Sequence, residues 1–222
     1  MNPELETRLR ALIAYLLEEN RKFNLTGIKD PDDAWTKHVL DSLEGLSSEL
    51  FDASESVVDV GTGAGFPGLV LALARPHLRM AFLEATRKKC AFIEAAIAKF
   101  EVKGARVINE RAEDAGQDER LRASFDVATA RAVGSFAEVA ELCLPLVRVG
   151  GSVALWRGEN AEVEARNAEE ALDDLGGFLR DVRPYELPGL PTRYHLVTIE
   201  KVGDTPRDFP RRAGLPKQKP LA

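Results

Sequence analysis

A glycine-rich turn after a short apolar strand is the feature that most constrains this chain. Residues 59–68 read Asp-Val-Gly-Thr-Gly-Ala-Gly-Phe-Pro-Gly, directly after Val57 and Val58 and before the apolar run 69–74. Glycine has no Cβ and tolerates positive φ, so such a turn lets the backbone come close to a bound ligand. The pattern therefore predicts a strand, a ligand-binding turn and the start of a helix.

From residue 56 onward the hydrophobic pattern alternates between short strands and helices. It predicts strands over residues 57–60, 80–84, 105–109, 125–130, 152–156, 178–185 and 193–201. It predicts helices over residues 66–74, 87–100, 113–122, 135–147 and 160–175. This alternation is typical of an open α/β fold with a mostly parallel sheet and helices on both faces. The short link 187–191 predicts that the last two strands pair antiparallel, because a parallel connection needs a longer crossover.

Residues 1–50 lie outside the alternating pattern and predict a helical cap. Asn2 and Pro3 begin an amphipathic helix, and Asp30 and Pro31 begin a second helix after the loop 21–27. So short a segment does not form a core of its own. The sequence is therefore divided into a helical cap (1–50), an α/β core (51–202) and a basic C-terminal tail (203–222).

Charge is distributed unevenly along the chain. The 222 residues carry a net charge of −6, with 45% hydrophobic and 30% charged residues, as in an ordinary globular protein. Residues 201–222 hold six basic and two acidic side chains, which leaves −10 on the rest. A basic tail on an acidic body indicates a polyanionic partner, although charge alone favours a solvated tail.

Several sequence features point to a cytoplasmic protein. The N-terminus lacks the basic and apolar regions of a secretory signal, and the longest uncharged run, 60–74, is shorter than the roughly 20 residues that span a bilayer. Cys90 and Cys143 lie far apart in apolar helical patterns, which predicts buried free thiols in a reducing compartment. We expect no metal site and, since nothing indicates oligomerisation, a monomer.

Two kinds of ligand are compatible with the glycine turn. Residues 63–68 match GxGxxG, the dinucleotide fingerprint, whereas Asp59, Gly61, Gly63 and Gly65 match the first motif of S-adenosylmethionine (SAM) methyltransferases. The glycine that directly follows the strand is Gly61, which does not fit the dinucleotide register. Asp59 also suits a cationic sulfonium ligand with a free amino group better than a pyrophosphate. The turn therefore favours SAM.

Polar residues at the ends of the later predicted strands complete this ligand-binding edge. Glu84 ends the second strand, where a carboxylate accepts hydrogen bonds from a ribose diol in either kind of cofactor. Glu113 and Asp114 follow the third strand and could flank an adenine. Arg131 follows the fourth strand. Ligands of open α/β sheets bind beyond the carboxyl ends of the strands, so Arg131 is expected to point at the site.

Motifs along nearly the whole chain resemble one family, RsmG (also called GidB), the bacterial methyltransferases of small-subunit ribosomal RNA. The resemblance is carried by residues 20–26 (Asn-Arg-Lys-Phe-Asn-Leu-Thr), 35–43, 59–68, 111–113, 130–132, 193–197 and 210–221. Only 59–68 is generic to methyltransferases. The N- and C-terminal segments are specific to the family.

The resemblance implies a class I SAM-methyltransferase (Rossmann-like) fold, with a seven-stranded, mostly parallel sheet, an antiparallel last strand and an N-terminal helical cap. It implies methyl transfer from SAM to N7 of a specific guanine in the decoding region of 16S rRNA, in the small subunit or an assembly intermediate. It implies SAM contacts from Gly61, Phe66, Ala112, Glu113 and Arg131. One departure is that Arg157-Gly158 stands where the family pattern has Lys-Gly.

The chemistry implied by the resemblance asks little of catalytic side chains. Guanine N7 has a lone pair and no proton, so no general base is expected, and Arg131 and Arg193 are positioning candidates. Phe23 and Tyr194 are candidates for stacking on a base, whereas Trp35 and His38 suit structural roles. The predicted phosphate contacts are Arg21, Lys22, Lys37, Arg193, Arg211, Arg212, Lys217 and Lys219.

Other functions remain open at the level of the sequence. A dinucleotide-binding oxidoreductase would use the same turn and Glu84. A methyltransferase acting on a protein or small molecule would not need the basic tail. A SAM-binding ribosome assembly factor would keep both features without catalysis.

Overall fold

A seven-stranded sheet in the order β3-β2-β1-β4-β5-β7-β6 organises the chain. The computed structural model describes residues 1–221, so the last residue of the predicted tail 203–222 lies outside the described residues. The strands are β1 (Ser56–Val60), β2 (Arg79–Leu83), β3 (Arg106–Ile108), β4 (Phe125–Arg131), β5 (Val147–Arg157), β6 (Gly177–Glu186) and β7 (Arg193–Lys201). Only β7 runs against its neighbours, since it pairs antiparallel with both β5 and β6. The predicted fold class is confirmed.

Helices cover both faces of the sheet. They are α1 (Pro3–Asn20), α2 (Pro31–Ala34), α3 (Asp41–Leu43), α4 (Leu50–Ala53), α5 (Gly68–Ala74), α6 (Arg87–Lys99), α7 (Ala112–Gln117), α8 (Phe136–Cys143), α9 (Ala161–Asn167), α10 (Glu169–Asp174) and α11 (Leu215–Gln218). Successive strand side chains point to opposite faces, so Val57 belongs to a core that includes α1, α5 and α6, while Val58 belongs to a core that includes α7 to α10. Two cores, one on each face, result.

The predicted helix 160–175 is interrupted. The structure has two short helices, α9 and α10, with Ala168 between them at φ −105° and ψ 10°, outside helical values. The predicted helix 113–122 also ends early, at Gln117, because the backbone becomes extended at Asp118, whose side chain accepts from Arg120. Pro145 has no N–H for an α-helical bond, and a short 3₁₀ turn (Leu144–Leu146) therefore follows α8.

The N-terminal segment packs directly against the sheet. Asn2 caps α1 through its side chain, and buried leucines of α1, including Leu9 and Leu12, join the core that also contains Phe92 of α6. Between α2 and α3 the helix widens into a π-helical stretch, Trp35–Leu40. Such stretches occur frequently at functional sites, and this one carries Lys37 and His38 toward the carboxyl ends of the strands.

The segment after β7 is docked on the core by hydrogen bonds to its backbone. Arg122 donates to the carbonyls of Thr205, Pro206 and Phe209. Arg211 forms a bidentate ion pair with Glu141, whose side chain is fully buried. Part of the positive charge that distinguishes the tail in the sequence is therefore used to attach the segment to α8.

Among residues 1–221, no helix combines the length and the apolar character that crossing a lipid bilayer requires. Cys90 and Cys143 are both buried and free, as predicted from their apolar surroundings.

We expect Arg211→Met to destabilise the protein by about 3–5 kcal/mol, because it leaves the charge of Glu141 buried without an opposite charge beside it. Urea unfolding followed by circular dichroism measures this loss. Adding Glu141→Gln should recover most of it, since an amide oxygen still accepts from the Arg211 backbone N–H, which Glu141 binds at 2.8 Å. Arg10→Met breaks an exposed pair with Glu6 and should cost less than about 1 kcal/mol. An Arg211→Met variant as stable as Arg10→Met would contradict this account.

Candidate functional site

The glycine turn after β1 presents bare backbone at the edge of the sheet. Gly61, Gly63 and Gly65 have φ of +64°, +61° and +89°, values that side chains rarely adopt. A Cβ at Gly65 would meet Leu69 at 2.5 Å, so that glycine is needed for packing inside the protein. A Cβ at Gly63 would meet only the carbonyl oxygen of Gly61, at 3.9 Å. Gly63 therefore faces open space, where a ligand can approach the chain.

Asp59 supports the turn from below. Its side chain is fully buried and accepts from Thr62 Oγ1 at 2.5 Å, from Gly68 N at 2.9 Å and from Thr129 Oγ1 at 2.9 Å. Burial raises the pKa of Asp59 to about 6, and these hydrogen bonds oppose the rise. These donors favour the ionised form of the carboxylate against the cost of its burial. The structure gives Asp59 a supporting position beneath the turn rather than the open face that a direct ligand contact requires.

Glu84 connects the turn to the second strand. One carboxylate oxygen accepts from Gly63 N at 3.0 Å and the other from Thr86 N at 2.7 Å. Each oxygen has a second lone pair, so the group can still accept from a ligand hydroxyl. The sequence predicted a diol-binding carboxylate here, and the structure brings it against the open glycine.

Glu113 lies beneath the C-terminal segment, beside Ala112 at the start of α7. It accepts from Gly214 N at 2.7 Å and from Arg111 at 3.2 Å. Burial acts to raise the pKa of Glu113, but backbone N–H bonds and the nearby arginine outweigh it and lower the pKa. The sequence pointed to Glu113 but gave no signal for its partner Gly214, which is 101 residues away.

Arg131 ends β4 and lies beside Phe66 of the turn, with its guanidinium 5.9 Å from the ring centroid. Its donors are largely occupied by the cap. It donates to Asp41 Oδ2 at 2.7 Å, to the Lys37 carbonyl at 2.8 Å and to His38 Nδ1 at 3.1 Å. Arg131 therefore reaches the predicted edge of the sheet, and it also joins that edge to the N-terminal helices.

His38 is neutral in this arrangement. Burial, together with the charges of Arg131 and Lys37, lowers its pKa to about 3. Because Arg131 donates to Nδ1, the ring proton lies on Nε2, which faces Thr26 Oγ1 at 3.1 Å. The ring also stacks on Phe66, with centroids 4.7 Å apart. His38 thus links the turn, the loop before α2 and Arg131.

Asp41 is a central residue that the sequence analysis did not identify as functional. Its carboxylate accepts from Arg131 and, at 2.5 Å, from the Tyr185 hydroxyl of β6. Its backbone carbonyl accepts from Trp156 Nε1 at 2.7 Å. Burial and the neighbouring carboxylate raise the pKa of Tyr185. The contacts come from three distant parts of the chain, so local sequence carried no signal for them.

A cavity of about 380 Å³ opens beside this network, at the carboxyl ends of β4 and β5. It is separate from Gly63 and Glu84, which do not line it. The lining residues are Lys37, His38, Asp41, Arg131, Ala132, Trp156, Arg157, Gly158, Tyr185, Leu187 and Tyr194. The edge of the sheet therefore carries two adjoining regions, a glycine crevice over β1 and β2 and a partly aromatic cavity over β4 and β5.

Arg157, which stands in place of the Lys of the family pattern, uses the shape of its guanidinium. It makes two contacts with Glu164 of α9, at 3.0 and 2.5 Å, and donates to the carbonyls of Val133 and Gly134 at 3.4 and 3.0 Å. A lysine ammonium could not make this forked set of contacts. Arg157 therefore orders the loop that follows β4.

The predicted phosphate contacts differ in how freely they face solvent. Lys22 pairs with Glu19, and Lys37 pairs with Asp33. Arg211 is held by Glu141. The exposed members of the set are Arg21, Lys22, Arg193, Arg212, Lys217 and Lys219. Phe23, a stacking candidate, is 42% exposed beside Arg21 and Lys22, whereas Trp35 is partly buried under Arg10.

We expect His38 to make stability depend on pH. Its folded pKa, about 3, is below the ordinary value of 6.5, so the unfolded chain binds more protons between these values and stability rises with pH across that window. Wild type should therefore gain about 3 kcal/mol relative to His38→Gln between pH 4 and pH 7. Urea unfolding of both proteins at several pH values measures the difference. A constant difference across the window would show that His38 is not desolvated in the folded protein.

Known proteins resemble this chain over most of its length. Residues 5–184 match the family model described as rRNA small subunit methyltransferase G. A ribosomal RNA small subunit methyltransferase G from Synechococcus sp. is 41% identical and covers 97% of this chain and 85% of its own length. The protein of the same name from Moorella thermoacetica is 40% identical and covers 100% of this chain and 92% of its own length.

Solved structures with low sequence identity share the fold. A 16S rRNA (adenine(1408)-N(1))-methyltransferase from Catenulisporales acidiphilia has a TM-score of 0.55 at 16% identity, over 72% of this chain and 91% of its own. The M. jannaschii protein TYW2, solved in complex with AdoMet, has a TM-score of 0.55 at 15% identity, over 73% and 77%. The family model that matches residues 5–184 and the relatives at 40–41% identity show that the protein is a member of the rRNA small subunit methyltransferase G (GidB) family.

Proposed function

We propose that this protein transfers the methyl group of SAM to N7 of a specific guanine in the decoding region of 16S rRNA. The observation that carries the proposal is the open backbone at Gly63, next to the Glu84 carboxylate, in a chain of this family. A side chain at Gly63 would occupy the space over the turn, so the turn fits a ligand that lies against the backbone.

The residues at this edge fit SAM. Gly61, Gly63 and Gly65 would hold it along the turn, with Phe66 beside them and Asp59 bracing the turn from below. Glu84 would accept from the ribose hydroxyls. Ala112 and Glu113 would flank the adenine, and Arg131 would lie at the border with the neighbouring cavity. When bound, SAM supplies a methyl group on a positively charged sulfur.

The protein's part in the chemistry is to hold and orient the reactants. Guanine N7 already carries its lone pair, so we assign no catalytic acid or base. Positioning of this kind accounts for at most about 7–11 kcal/mol of the barrier. The Asp41 carboxylate balances the charge of Arg131, and His38 is neutral. The site therefore adds little positive charge next to a base that becomes cationic, and Arg131 and Arg193 serve to position the RNA.

The target base must be accessible from outside the helix. N7 lies in the deep, narrow major groove of A-form RNA, which side chains read poorly, so the guanine lies in an opened region or is flipped out. Phosphates would be held by Arg21, Lys22, Lys37, Arg193, Arg212, Lys217 and Lys219. Arg211 was predicted in this set, but its pairing with Glu141 favours an anchoring role.

The same proposal includes the division of the chain, its location, its oligomeric state and the form of its substrate. The cap (1–50), the core (51–202) and the segment 203–222 form the three parts of one enzyme, which acts in the cytoplasm as a monomer. Its substrate is the 16S rRNA in the small subunit or in an assembly intermediate.

A labelling experiment tests the proposal against its alternatives. The protein is incubated with methyl-labelled SAM and 16S rRNA, either free or in partly assembled subunits, and the labelled base is mapped. Label on N7 of one guanine is the expected result. Binding of SAM and RNA without label would support an assembly factor. Tighter calorimetric binding of NAD than of SAM would support an oxidoreductase.

We expect Gly63→Val to reduce the affinity for SAM at least 100-fold, because the new side chain would fill the space over the turn. Isothermal titration calorimetry measures the affinity. Gly150→Val is a matched control, since Gly150 has a similar φ of +81° near the amino end of β5 and its added Cβ would meet only the end of the Arg148 side chain. If Gly150→Val lost as much affinity as Gly63→Val, backbone strain would explain the loss and the turn would not be the site.

We expect Arg212→Ala with Lys217→Ala to weaken RNA binding and to lower its salt dependence. A plot of the logarithm of the RNA association constant against the logarithm of the salt concentration has a negative slope. Its magnitude should decrease by roughly 0.7–0.9 for each phosphate contact removed. Filter binding at several salt concentrations measures the slope. Arg166→Ala with Arg180→Ala removes the same charge from the exposed surface of α9 and β6 and should leave the slope unchanged. Equal slopes for the two double variants would place the RNA on another surface.

A further inference from the structure

We infer that the cavity at the carboxyl ends of β4 and β5 is the pocket for the target base, and that Tyr194 forms its stacking wall. This rests on the proposed function and goes beyond it by assigning the acceptor guanine to a defined site. The cavity adjoins the glycine crevice through Arg131, which lines the cavity and lies 5.9 Å from the Phe66 ring of the turn. A base in the cavity would therefore be next to a ligand held over the turn.

The size and the walls of the cavity suit a flat, polar-edged ring. Its volume of about 380 Å³ is within the range of small-molecule pockets, roughly 300–1,000 Å³. One wall is aromatic, with Tyr185 and Tyr194 stacked at 5.9 Å and an interplanar angle of 23°. Asp41 and Arg131 also line the cavity, and Asp41 accepts from the Tyr185 hydroxyl beside this wall. Enzymes that act on a flipped base stack it on aromatic groups and bind its edge through polar groups.

Tyr194 is the wall residue that is available to a ligand. Tyr185 is 9% exposed and its hydroxyl is bound to Asp41. Tyr194 lies on β7 opposite Tyr185 and is only partly buried. One face of its ring packs on Tyr185, so the other face is the surface on which a base can stack.

Charge compensation in the cavity favours a base that becomes cationic. Three basic side chains line it, and each has a carboxylate partner: Lys37 with Asp33, Arg131 with Asp41, and Arg157 with Glu164. The face of an aromatic ring attracts a cation. A tyrosine wall thus stabilises 7-methylguanine more than guanine, and the paired side chains add little repulsion.

The polar side of the cavity also suits guanine. Guanine donates from N1–H and from its N2 amino group. Each oxygen of Asp41 accepts one hydrogen bond in the structure, so the carboxylate keeps free lone pairs. Adenine has a single donor on this edge, its N6 amino group, and cannot donate from two adjacent positions as guanine does.

Substitutions at Tyr194 test the inference. Tyr194→Ala should lower kcat/KM for 16S rRNA about 5- to 100-fold, the loss expected when a base–aromatic stack is removed, while the calorimetric affinity for SAM stays within twofold of wild type. Tyr194→Phe keeps the ring and should stay within threefold. Phe178→Ala removes an aromatic ring that is 53% exposed on β6 and does not line the cavity, and it should stay within twofold.

The outcomes separate this inference from the proposed function. If wild type labels guanine N7 and Tyr194→Ala does so equally well, the cavity is not the base pocket. If wild type labels no guanine N7, the proposed function fails. The pocket is then tested separately, by using NMR to monitor the binding of 7-methylguanosine monophosphate. Contacts from the protein to the base that are lost in Tyr194→Ala would support a base-binding cavity. No binding to wild type would overturn it.

Discussion

The ion pair between Arg131 and Asp41 joins the parts of this protein that form the candidate site. The two side chains are 14% and 8% exposed and their atoms are 2.7 Å apart. Arg131 comes from the end of β4 and Asp41 from the helical segment after residue 30. Tyr185 of β6 adds a third element through its bond to Asp41. Removing one partner of such a buried pair typically costs about 3–5 kcal/mol, so the cap, the sheet and the last hairpin hold one another in position.

The network around this pair has a defined protonation state. His38 is neutral, accepts from Arg131 and faces Thr26 through its other nitrogen. Thr26 in turn belongs to a loop that Asn20 holds with three hydrogen bonds. The exposed segment with Arg21, Lys22 and Phe23 is therefore attached, through a short series of polar contacts, to the border between the glycine crevice and the cavity.

Local patterns predicted the fold well because they follow from local physics. Alternating strands and helices determine an α/β sheet, and the glycines with positive φ occur where the turn predicted them. The candidate edge was also predicted, since parallel strands bring Gly63, Glu84 and Arg131 to one side. The hydrogen-bond partners of the residues at this edge were not predicted. Asp41 and Gly214 are 90 and 101 residues from Arg131 and Glu113, and no local pattern encodes such pairs. The basic charge of the C-terminal segment likewise predicted that Arg211 contacts a polyanion. Its partner, the buried Glu141, lies 70 residues earlier and is brought to it only by folding.

The contact between Gly214 and Glu113 has a consequence for biosynthesis. A carboxylate at the start of α7 is satisfied by an amide that the ribosome adds 101 residues later. The sheet can assemble while the chain is still emerging, but Glu113 gains this hydrogen bond only after residue 214 has been translated. All seven strands precede residue 202, so the surroundings of Glu113 are completed after every strand of the sheet has been synthesised.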